Sequence, residues 1–312
     1  MADPSCPLSD DPLWIVAPAQ WRDACFSLPA TRALAEKRAV HILCPDFQRE
    51  LWEATGLREV RSFEPSTKPR VLAKELDGIA QCLLWENSIG AQAMIHAGVQ
   101  ARHGLPAKGL AKSLTHPITL TRRPGPPEHQ VRRFLDSVAH LGAGPLEPGH
   151  FSPLPGTSDQ HTGVWLLSPD SDFGDHFQWP AERWLELIER LPLDRERIHI
   201  HDSGPIARRI AEATSLHFVE PRSPTQTAAY AYCLAADSSF PHMAAAFGVT
   251  CVVLFGPGDP GRTRPLGKQH LSIRRKAECS PCLLDRCALD LRCQLELEVD
   301  QVHDELTTFM ET

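Results

Sequence analysis

The stretch that decides the fold is ADSSFPHMAAAFGVTCVVLFGPGDPGR, residues 236–262. An acid, two serines and a histidine surround the start of a run of small residues, and a valine-rich segment follows. Asp and Ser favour the N-cap of a helix and Pro its first turn, so we predict a helix that begins near Phe240 or Pro241. The apolar run 250–256 predicts a buried strand directly after it.

The same alternation extends outward through the chain. Apolar runs predict strands, and segments with helical spacing separate them. The strands are predicted at 13–17, 40–44, 79–85, 99–104, 164–169, 197–202 and 250–256. The helices are predicted at 23–37, 46–54, 88–97, 128–141, 179–191, 205–213, 225–236 and 299–310. This order is typical of an α/β protein with parallel sheets.

One segment interrupts the alternation. Residues 144–162, GPLEPGHFSPLPGTSDQHT, are rich in proline and lack periodicity, which is typical of a linker. We therefore expect two Rossmann-like domains, residues 1–155 and 156–312, facing a central cleft. In open parallel sheets the ligand binds beyond the carboxyl ends of the strands.

Composition excludes several classes of function. The 312 residues carry a net charge of −7, which disfavours a general nucleic-acid partner. No apolar run reaches the length of about 18 residues that a membrane span needs. The start of the chain, MADPSCPLSDDPLW, does not resemble a signal peptide. These observations favour a cytoplasmic protein, with peripheral association at the inner membrane face as an open alternative.

Four of the ten cysteines form a C-x2-C-x4-C-x5-C pattern, namely Cys279, Cys282, Cys287 and Cys293. Such spacing suits a tetrahedral thiolate site for structural zinc or iron. The alternatives are unpaired thiols or two disulfides, and a reducing cytoplasm favours the metal. No open ligand position is evident, so the site would be structural, and no catalytic metal is expected. Five other cysteines, at 25, 44, 82, 233 and 251, are expected to be buried apolar thiols.

The polar cluster of the opening stretch has two interpretations. Asp237, Ser238 and Ser239 could simply cap the following helix. They could equally border an anion site, because a helix N-terminus offers free N–H groups and a partial positive charge to a phosphate. By itself, His242 is more often a packed, hydrogen-bonded histidine than a ligand.

At this point the sequence resembles glycosyltransferase family 9, which includes the ADP-heptose:lipopolysaccharide heptosyltransferases. The segment DSSFPHMAAAFGVTCVVLFGPGDPGRTRPLG, residues 237–267, is similar to the nucleotide-sugar-binding segment of that family. Trp179–Trp184 resembles its W-P-x-E-x-[WF] signature, and RDACFSLPATRAL, residues 22–34, its G-D-x5-P-A-L-R-x-L motif. The pattern CSPCLLDRCALDLRC, residues 279–293, is similar to a cysteine pattern of many members. The resemblance implies a GT-B fold with an N-terminal acceptor domain and a C-terminal donor domain.

The resemblance also implies roles for particular residues. Asp23 would be the general base, although by itself it could be only the N-cap of the helix at 24–37. Asp237, Ser238, Ser239 and His242 would bind the donor diphosphate, which needs donors or cations. Arg262 is a candidate phosphate contact, or alternatively part of a solvated loop.

Two positions depart from the family pattern. Arg22 replaces a glycine, and Phe177 stands where members commonly carry a phosphate-binding lysine. The function implied is inverting transfer of a heptose, or a related sugar, from an ADP-activated donor to a glycan, lipid-linked or protein acceptor. Alternatives are a nucleotide-sugar epimerase with a GT-B fold, which the 236–262 segment disfavours, and a catalytically weak relative kept for binding or assembly. The cysteine segment could also meet a neighbouring subunit in a homo-oligomer.

Overall fold

The computed structural model of the protein describes residues 10–121, 124–156, 161–220, 223–282, 284 and 286–311. The chain forms two compact units, Met1–Ser152 and Pro153–Thr312. Each unit contains one parallel six-stranded sheet. In the described part of the chain, we find no helix that is both long and apolar enough to cross a membrane.

The first unit alternates strands and helices. Its strands are β1 (Leu13–Val16), β2 (Val40–Pro45), β3 (Glu59–Phe63), β4 (Gln81–Leu84), β5 (Ala101–Gly104) and β6 (His116–Pro117). Its helices are α1 (Trp21–Ala35), α2 (Arg49–Glu53), α3 (Pro69–Leu72), α4 (Ile89–His96) and α5 (Val131–Ala139). The order in the sheet is β3-β2-β1-β4-β5-β6, the 3-2-1-4-5-6 order of Rossmann folds.

The second unit repeats this plan. Its strands are β7 (His161–Ser168), β8 (Ile198–His201), β9 (His217–Val219), β10 (Tyr230–Ala236), β11 (Thr250–Phe255) and β12 (Leu271–Arg274). Its helices are α6 (Ala181–Arg190), α7 (Pro205–Thr214), α8 (Phe240–Ala246), α9 (Pro260–Thr263), α10 (Arg292–Leu295) and α11 (Val299–Met310). The order β12-β11-β10-β7-β8-β9 is again the Rossmann order.

The strand order fixes where a ligand can bind in each unit. The connections diverge between β1 and β4 in the first unit and between β7 and β10 in the second. At such a topological switch point the two loops that leave the strands separate, which opens a crevice at the carboxyl edge of the sheet. The loops after these four strands are therefore where functional side chains should be sought.

Apolar side chains cover both faces of the second sheet. Leu234 packs in a cluster with Trp165, Trp179 and Trp184, whereas its neighbour Cys233 packs in a second cluster with Phe255. Successive residues of β10 therefore point to opposite faces, both of them buried, as in the interior strands of a parallel sheet. The helix predicted over 225–236 is therefore wrong for residues 230–236, where burial on both sides overrides the helical preference of the alanines, whereas Pro224–Ala229 form a short 3₁₀ helix.

Candidate functional site

The polar cluster of the opening stretch lies at the switch point of the second unit. Asp237, Ser238 and Ser239 connect β10 to α8, and all three are buried together with His242. The predicted start of the helix at Phe240 is correct. The interpretation of Ser239 as a side-chain cap is wrong, because Ser239 occupies the N-cap position but makes no side-chain capping bond.

The capping group comes from the neighbouring loop instead. Asp172, in the loop after β7, accepts a hydrogen bond from the Ser239 backbone N–H, with Oδ1 2.7 Å from the nitrogen. Ser171 Oγ donates to the carbonyl of Asp237 over 2.6 Å. The loops after β7 and β10 are thus joined across the switch point, and a carboxylate of the chain itself already binds an amide that an anionic ligand would use.

A second carboxylate of the same loop caps another helix. Asp170 accepts hydrogen bonds from the N–H groups of Ile206 and Ala207 in the first turn of α7, each over 2.9 Å, and from the Ser203 hydroxyl. Carboxylates are favourable at helix N-termini because they satisfy free amides and oppose the positive end of the dipole. Since this loop follows an apolar strand, the rule that ligands bind at strand ends could have singled out Asp170 and Asp172 from the sequence.

One polar group in this cluster has unused hydrogen-bonding capacity. Ser238 is 3% exposed, and within the described structure its hydroxyl oxygen has no hydrogen-bond partner. A buried hydroxyl without a partner costs free energy unless a ligand or water supplies one. Ser238 is thus placed to contact a bound group.

The loop after β11 lies against the polar cluster. A Cβ atom added at Gly258 would lie 2.1 Å from Oδ2 of Asp237, so only glycine leaves room for this carboxylate. Arg262 lies next in α9, which Asp259 caps by accepting from the Gly261 N–H over 3.0 Å. Arg262 is therefore held in a short half-buried helix rather than in an irregular solvated loop.

Aromatic rings occupy the position where the resembled family carries lysine. The ring of Phe177 contacts those of Phe173, at 5.7 Å between centroids, and His176, at 4.6 Å.

A further aromatic contact lies at the start of α8, where His201 stacks on Phe240 with centroids 4.0 Å apart. Burial lowers the pKa of His201 to about 4, which is only partly opposed by Asp202, so this ring is neutral at pH 7.

The predicted base Asp23 lies at the switch point of the first unit. It is in the first turn of α1 and is 8% exposed. The alternative that it caps this helix is wrong, because the helix begins at Trp21 and the N-cap position is Gln20. Its Oδ2 forms an ion pair with Arg133 of α5 over 2.7 Å. Its Oδ1 is buried and, among the described residues, has no hydrogen-bond partner.

Sequence reasoning missed a second carboxylate here. Glu86, just after β4, accepts the backbone N–H of Ala19 over 2.8 Å, which joins the loops after β1 and β4. Burial raises the pKa of Glu86, and the negative charge of Asp23 raises it further, whereas the Ala19 N–H and Arg133 act in the opposite direction. Asp23, Glu86 and Arg133 therefore form one electrostatic group, which is not visible in the sequence because α5 is remote along the chain.

Three of the clustered cysteines are close enough to the fourth, Cys293, to influence its ionisation. Burial raises the pKa of the Cys293 thiol to about 11, with additional contributions from Cys279, Cys282 and Cys287. Their segment is attached to the loop after β11, since Cys282 N–H donates to the Pro257 carbonyl over 3.2 Å. Across the described ranges, however, no group of three or more His, Cys, Asp or Glu side chains is positioned to hold a metal ion. The five other predicted buried cysteines are buried free thiols.

Comparisons with known proteins agree with these features. Residues 225–292, which contain the whole polar cluster, match the model of glycosyltransferase family 9 (heptosyltransferase). Lipopolysaccharide heptosyltransferase 1 of Pseudomonas aeruginosa is 30% identical in an alignment that covers 35% of this chain and 33% of that protein. The alignment thus spans about a third of the curated relative's length.

Two solved structures show the fold. The E. coli ADP-heptose LPS heptosyltransferase II superimposes with a TM-score of 0.72 at 18% identity, covering 96% of this chain and 98% of the other. The iron-containing dodecameric glycosyltransferase TibC of enterotoxigenic E. coli superimposes with a TM-score of 0.59 at 12% identity, covering 98% and 78%. A further TibC structure contains ADP-D-β-D-heptose.

Fold and matched segment together define the class, an α/β protein of GT-B type. The resemblance of residues 225–292 to glycosyltransferase family 9 is confirmed by the match to the model of that family.

The raised pKa of Glu86 gives a test of the electrostatic group in the first unit. A carboxyl whose pKa is raised by folding binds its proton more tightly in the folded state, so its ionisation lowers stability as pH rises. We expect Glu86→Gln, which keeps the acceptor oxygen, to raise the melting temperature relative to wild type near pH 7. The gain should vanish near about pH 4, where a glutamate is largely protonated in both states. Thermal unfolding across this pH range, with the exposed Glu50→Gln as control, measures the effect. A gain that persists undiminished in acid would rule out an ionisation effect.

Proposed function

We propose that the protein is an inverting glycosyltransferase that moves a heptose, or a related sugar, from an ADP-activated donor to an acceptor hydroxyl. The observation that carries the proposal is the buried Asp237–His242 cluster at the switch point of the second unit, within the segment that matches family 9. The second unit would then bind the donor and the first the acceptor. The ADP-heptose in TibC supports this choice of donor.

Asp23 is the proposed general base. As the acceptor oxygen attacks the anomeric carbon, its proton passes to the Asp23 carboxylate, the bond from that carbon to the phosphate oxygen breaks, and ADP leaves from the opposite face. This displacement inverts the configuration. The ion pair with Arg133 engages Oδ2 and fixes the carboxylate, whereas Oδ1 retains its acceptor capacity. Proton transfer requires a base within hydrogen-bond reach of the hydroxyl.

Asp23→Asn tests this role. The amide is nearly isosteric but cannot accept the proton, so turnover should fall by about 10²-fold or more, the usual scale for loss of a general base. ADP affinity, measured by calorimetry, should be unchanged because the donor cluster is in the other unit. The matched control is Asp136→Asn, which removes a half-buried carboxylate of α5 paired with Arg132. Full turnover in Asp23→Asn would exclude it as the base.

The donor side has features that support binding and features that oppose it. The Ser238 hydroxyl is buried with unused hydrogen-bonding capacity, and Arg262 lies in the adjacent α9. Against this, Asp172 already occupies the Ser239 amide, and Phe177 supplies no charge. These two residues favour the second candidate function, a catalytically weak relative that binds nucleotide sugars. Hydrolysis of ADP-heptose to free ADP by the purified protein would decide for the enzyme, and binding without turnover for the relative.

Two variants test where the diphosphate binds. If it lies at Ser238 and Ser239, Asp172→Asn should tighten ADP binding several-fold, because one negative charge near the phosphates is removed while an acceptor oxygen stays. His242→Ala should weaken ADP binding and leave the fold intact. Calorimetry with ADP and with adenosine measures both effects, and Asp172→Asn should not change adenosine affinity. Glu189→Gln, an exposed charge change on α6, serves as control. Equal ADP affinities in all variants would place the diphosphate elsewhere.

We also propose a structural zinc or iron ion at Cys279, Cys282, Cys287 and Cys293. The donor set fits, because four sulfurs are the ligands of tetrahedral zinc or iron sites and the other three thiols lie within electrostatic range of Cys293. The described geometry does not converge on one point, so binding would require these side chains to move together and release their protons. The iron described in TibC supports iron as the ion.

Cys282→Ser should release this metal. We expect about one equivalent in wild-type protein purified without chelator or histidine tag, measured by elemental analysis, and clearly less in the variant. The segment around residues 279–293 should become protease-sensitive, since a structural site contributes folding free energy. Cys233→Ser, which alters a buried thiol outside the cluster, is the control. Metal-free wild type with four titratable thiols, or with two disulfides, would contradict the site.

The remaining proposals concern partners and location. The acceptor would be a glycan, a lipid-linked glycan or a protein, and no nucleic-acid partner is proposed. The cysteine segment and α10 present the exposed side chains of Leu284, Leu289 and Leu295, which suits contact with a second copy in a homo-oligomer. The dodecameric state described for TibC supports this idea. The free thiols agree with a reducing cytoplasm. We propose that location for the protein, either away from membranes or at the inner membrane face.

A further inference from the structure

A concave pocket opens at the carboxyl edge of the first sheet. Its volume is about 430 Å³, within the range of about 300–1,000 Å³ typical of ligand sites. The ends of β2 and β3 contribute Pro45 and Phe63, and the loop after β4 contributes Asn87. Phe47 forms part of the rim and is 45% exposed, unusually high for a phenylalanine.

Two contacts connect this pocket with the group around Asp23. Ala19 lines the pocket, and its N–H is the one that Glu86 accepts. The ring of Phe47 lies 5.7 Å from that of Trp21, which begins the helical turn that carries Asp23. A group held in the pocket therefore lies beside the loop and the helical turn that position the proposed base.

The chemistry of the walls limits what can bind. Among the described residues that line the pocket, none carries a charge, and most are proline, phenylalanine, alanine or isoleucine. Burying an unpaired charge against such walls is expensive. An anionic or cationic acceptor group would therefore lose hydration here without gaining a partner.

The polar side chains that line the pocket are those of Asn87, Ser88 and Gln92. Gln92 donates to Oδ1 of Asn87 over 2.6 Å, and Ser88 Oγ accepts the Ala91 N–H at the start of α4. A sugar ring carries hydroxyls around its whole edge, and each hydroxyl buried against an apolar wall loses its hydrogen bonds to water. An amide offers both N–H donors and a carbonyl acceptor, so Asn87 and Gln92 can pair with the C=O and N–H of a single peptide group.

We propose that this pocket holds an uncharged, apolar polypeptide segment, so that the acceptor hydroxyl belongs to a serine or threonine beside it. The apolar side chains of the segment fill the space between Phe47, Phe63 and Pro45, and its backbone pairs with the amides of Asn87 and Gln92. This assignment of the acceptor rests on the proposed glycosyltransferase function. The binding of the segment does not, since the first unit alone carries the pocket.

Binding to the whole chain without donor is measured first. The probes are an array of fluorescein-labelled, serine-centred heptapeptides flanked by Val, Leu and Pro, the same peptides flanked by Asp and Lys, and labelled maltotriose. Fluorescence anisotropy should detect binding of uncharged peptides. Phe47→Ala should weaken it by about tenfold, as for an aromatic anchor. Phe151→Ala, an equally exposed phenylalanine (44%) of the same unit outside the pocket, should leave it within about twofold.

A second readout separates this inference from the proposed function. The bound peptides are incubated with ADP-heptose, and mass spectrometry detects transfer while released ADP is measured in parallel. Peptide binding without any ADP release would support the pocket and contradict the enzyme. ADP release with no peptide binding, tighter binding of maltotriose or charged peptides, or equal effects of Phe47→Ala and Phe151→Ala would overturn the pocket assignment. Gln92→Glu repeats the test without removing apolar contact area, because it introduces a charge into the pocket and should weaken binding of uncharged peptides. Gln100→Glu, outside the pocket, is the control and should leave binding unchanged.

Discussion

A carboxylate that spans a topological switch point organises each half of this molecule. Where neighbouring parallel strands send their loops in opposite directions, the backbone amides beyond the strand ends lose their partners in the sheet. Glu86 supplies an acceptor to Ala19 in the first unit, and Asp172 does the same for Ser239 in the second. A hydrogen bond from one loop to the other thereby bridges the crevice at each sheet, and it fixes the side chains that line the crevice.

The two closures have different electrostatic consequences. In the first unit Arg133 offsets the negative charge of the carboxylates, so the buried Asp23 is held against a partly exposed counter-ion. In the second unit Asp170 accepts hydrogen bonds from two amides of α7 and the Ser203 hydroxyl, and Asp172 accepts one from the Ser239 amide. An anionic ligand at this place would therefore compete with these carboxylates for the same amides. A cationic side chain at the position of Phe177 would reduce the repulsion between ligand and carboxylates.

The sequence predicted more of the fold than of the site. Strands such as β1, β2 and β11 are short apolar runs, which are typical of interior strands of a parallel sheet. The start of α8 follows from Pro241 and the small residues after it. The residues of β10 are predicted as part of a helix because of their alanines, whereas burial on both faces makes them a strand. Short edge strands such as β9 and β12 lack a long apolar run and were missed.

The site depends on pairings that a linear pattern cannot show. Asp23 was singled out by its motif, but its partner Arg133 lies 110 positions later in sequence numbering, on a helix with no motif of its own. The capping of Ser239 by Asp172 likewise joins two loops 67 positions apart. Local rules predicted that the polar residues cap their own helices, whereas the sheet brings a better acceptor from a neighbouring strand.

Gly258 gives this arrangement a steric sensitivity that charge and hydrogen bonding do not reveal. The hydrogen on its α-carbon points at the Asp237 carboxylate, and a methyl group there would overlap Oδ2. One methyl group would thus displace a buried carboxylate without altering any ionisable or hydrogen-bonding group in the chain. The space beside that glycine is as much a part of the polar cluster as the acid itself, because the carboxylate can occupy its position only while position 258 lacks a side chain.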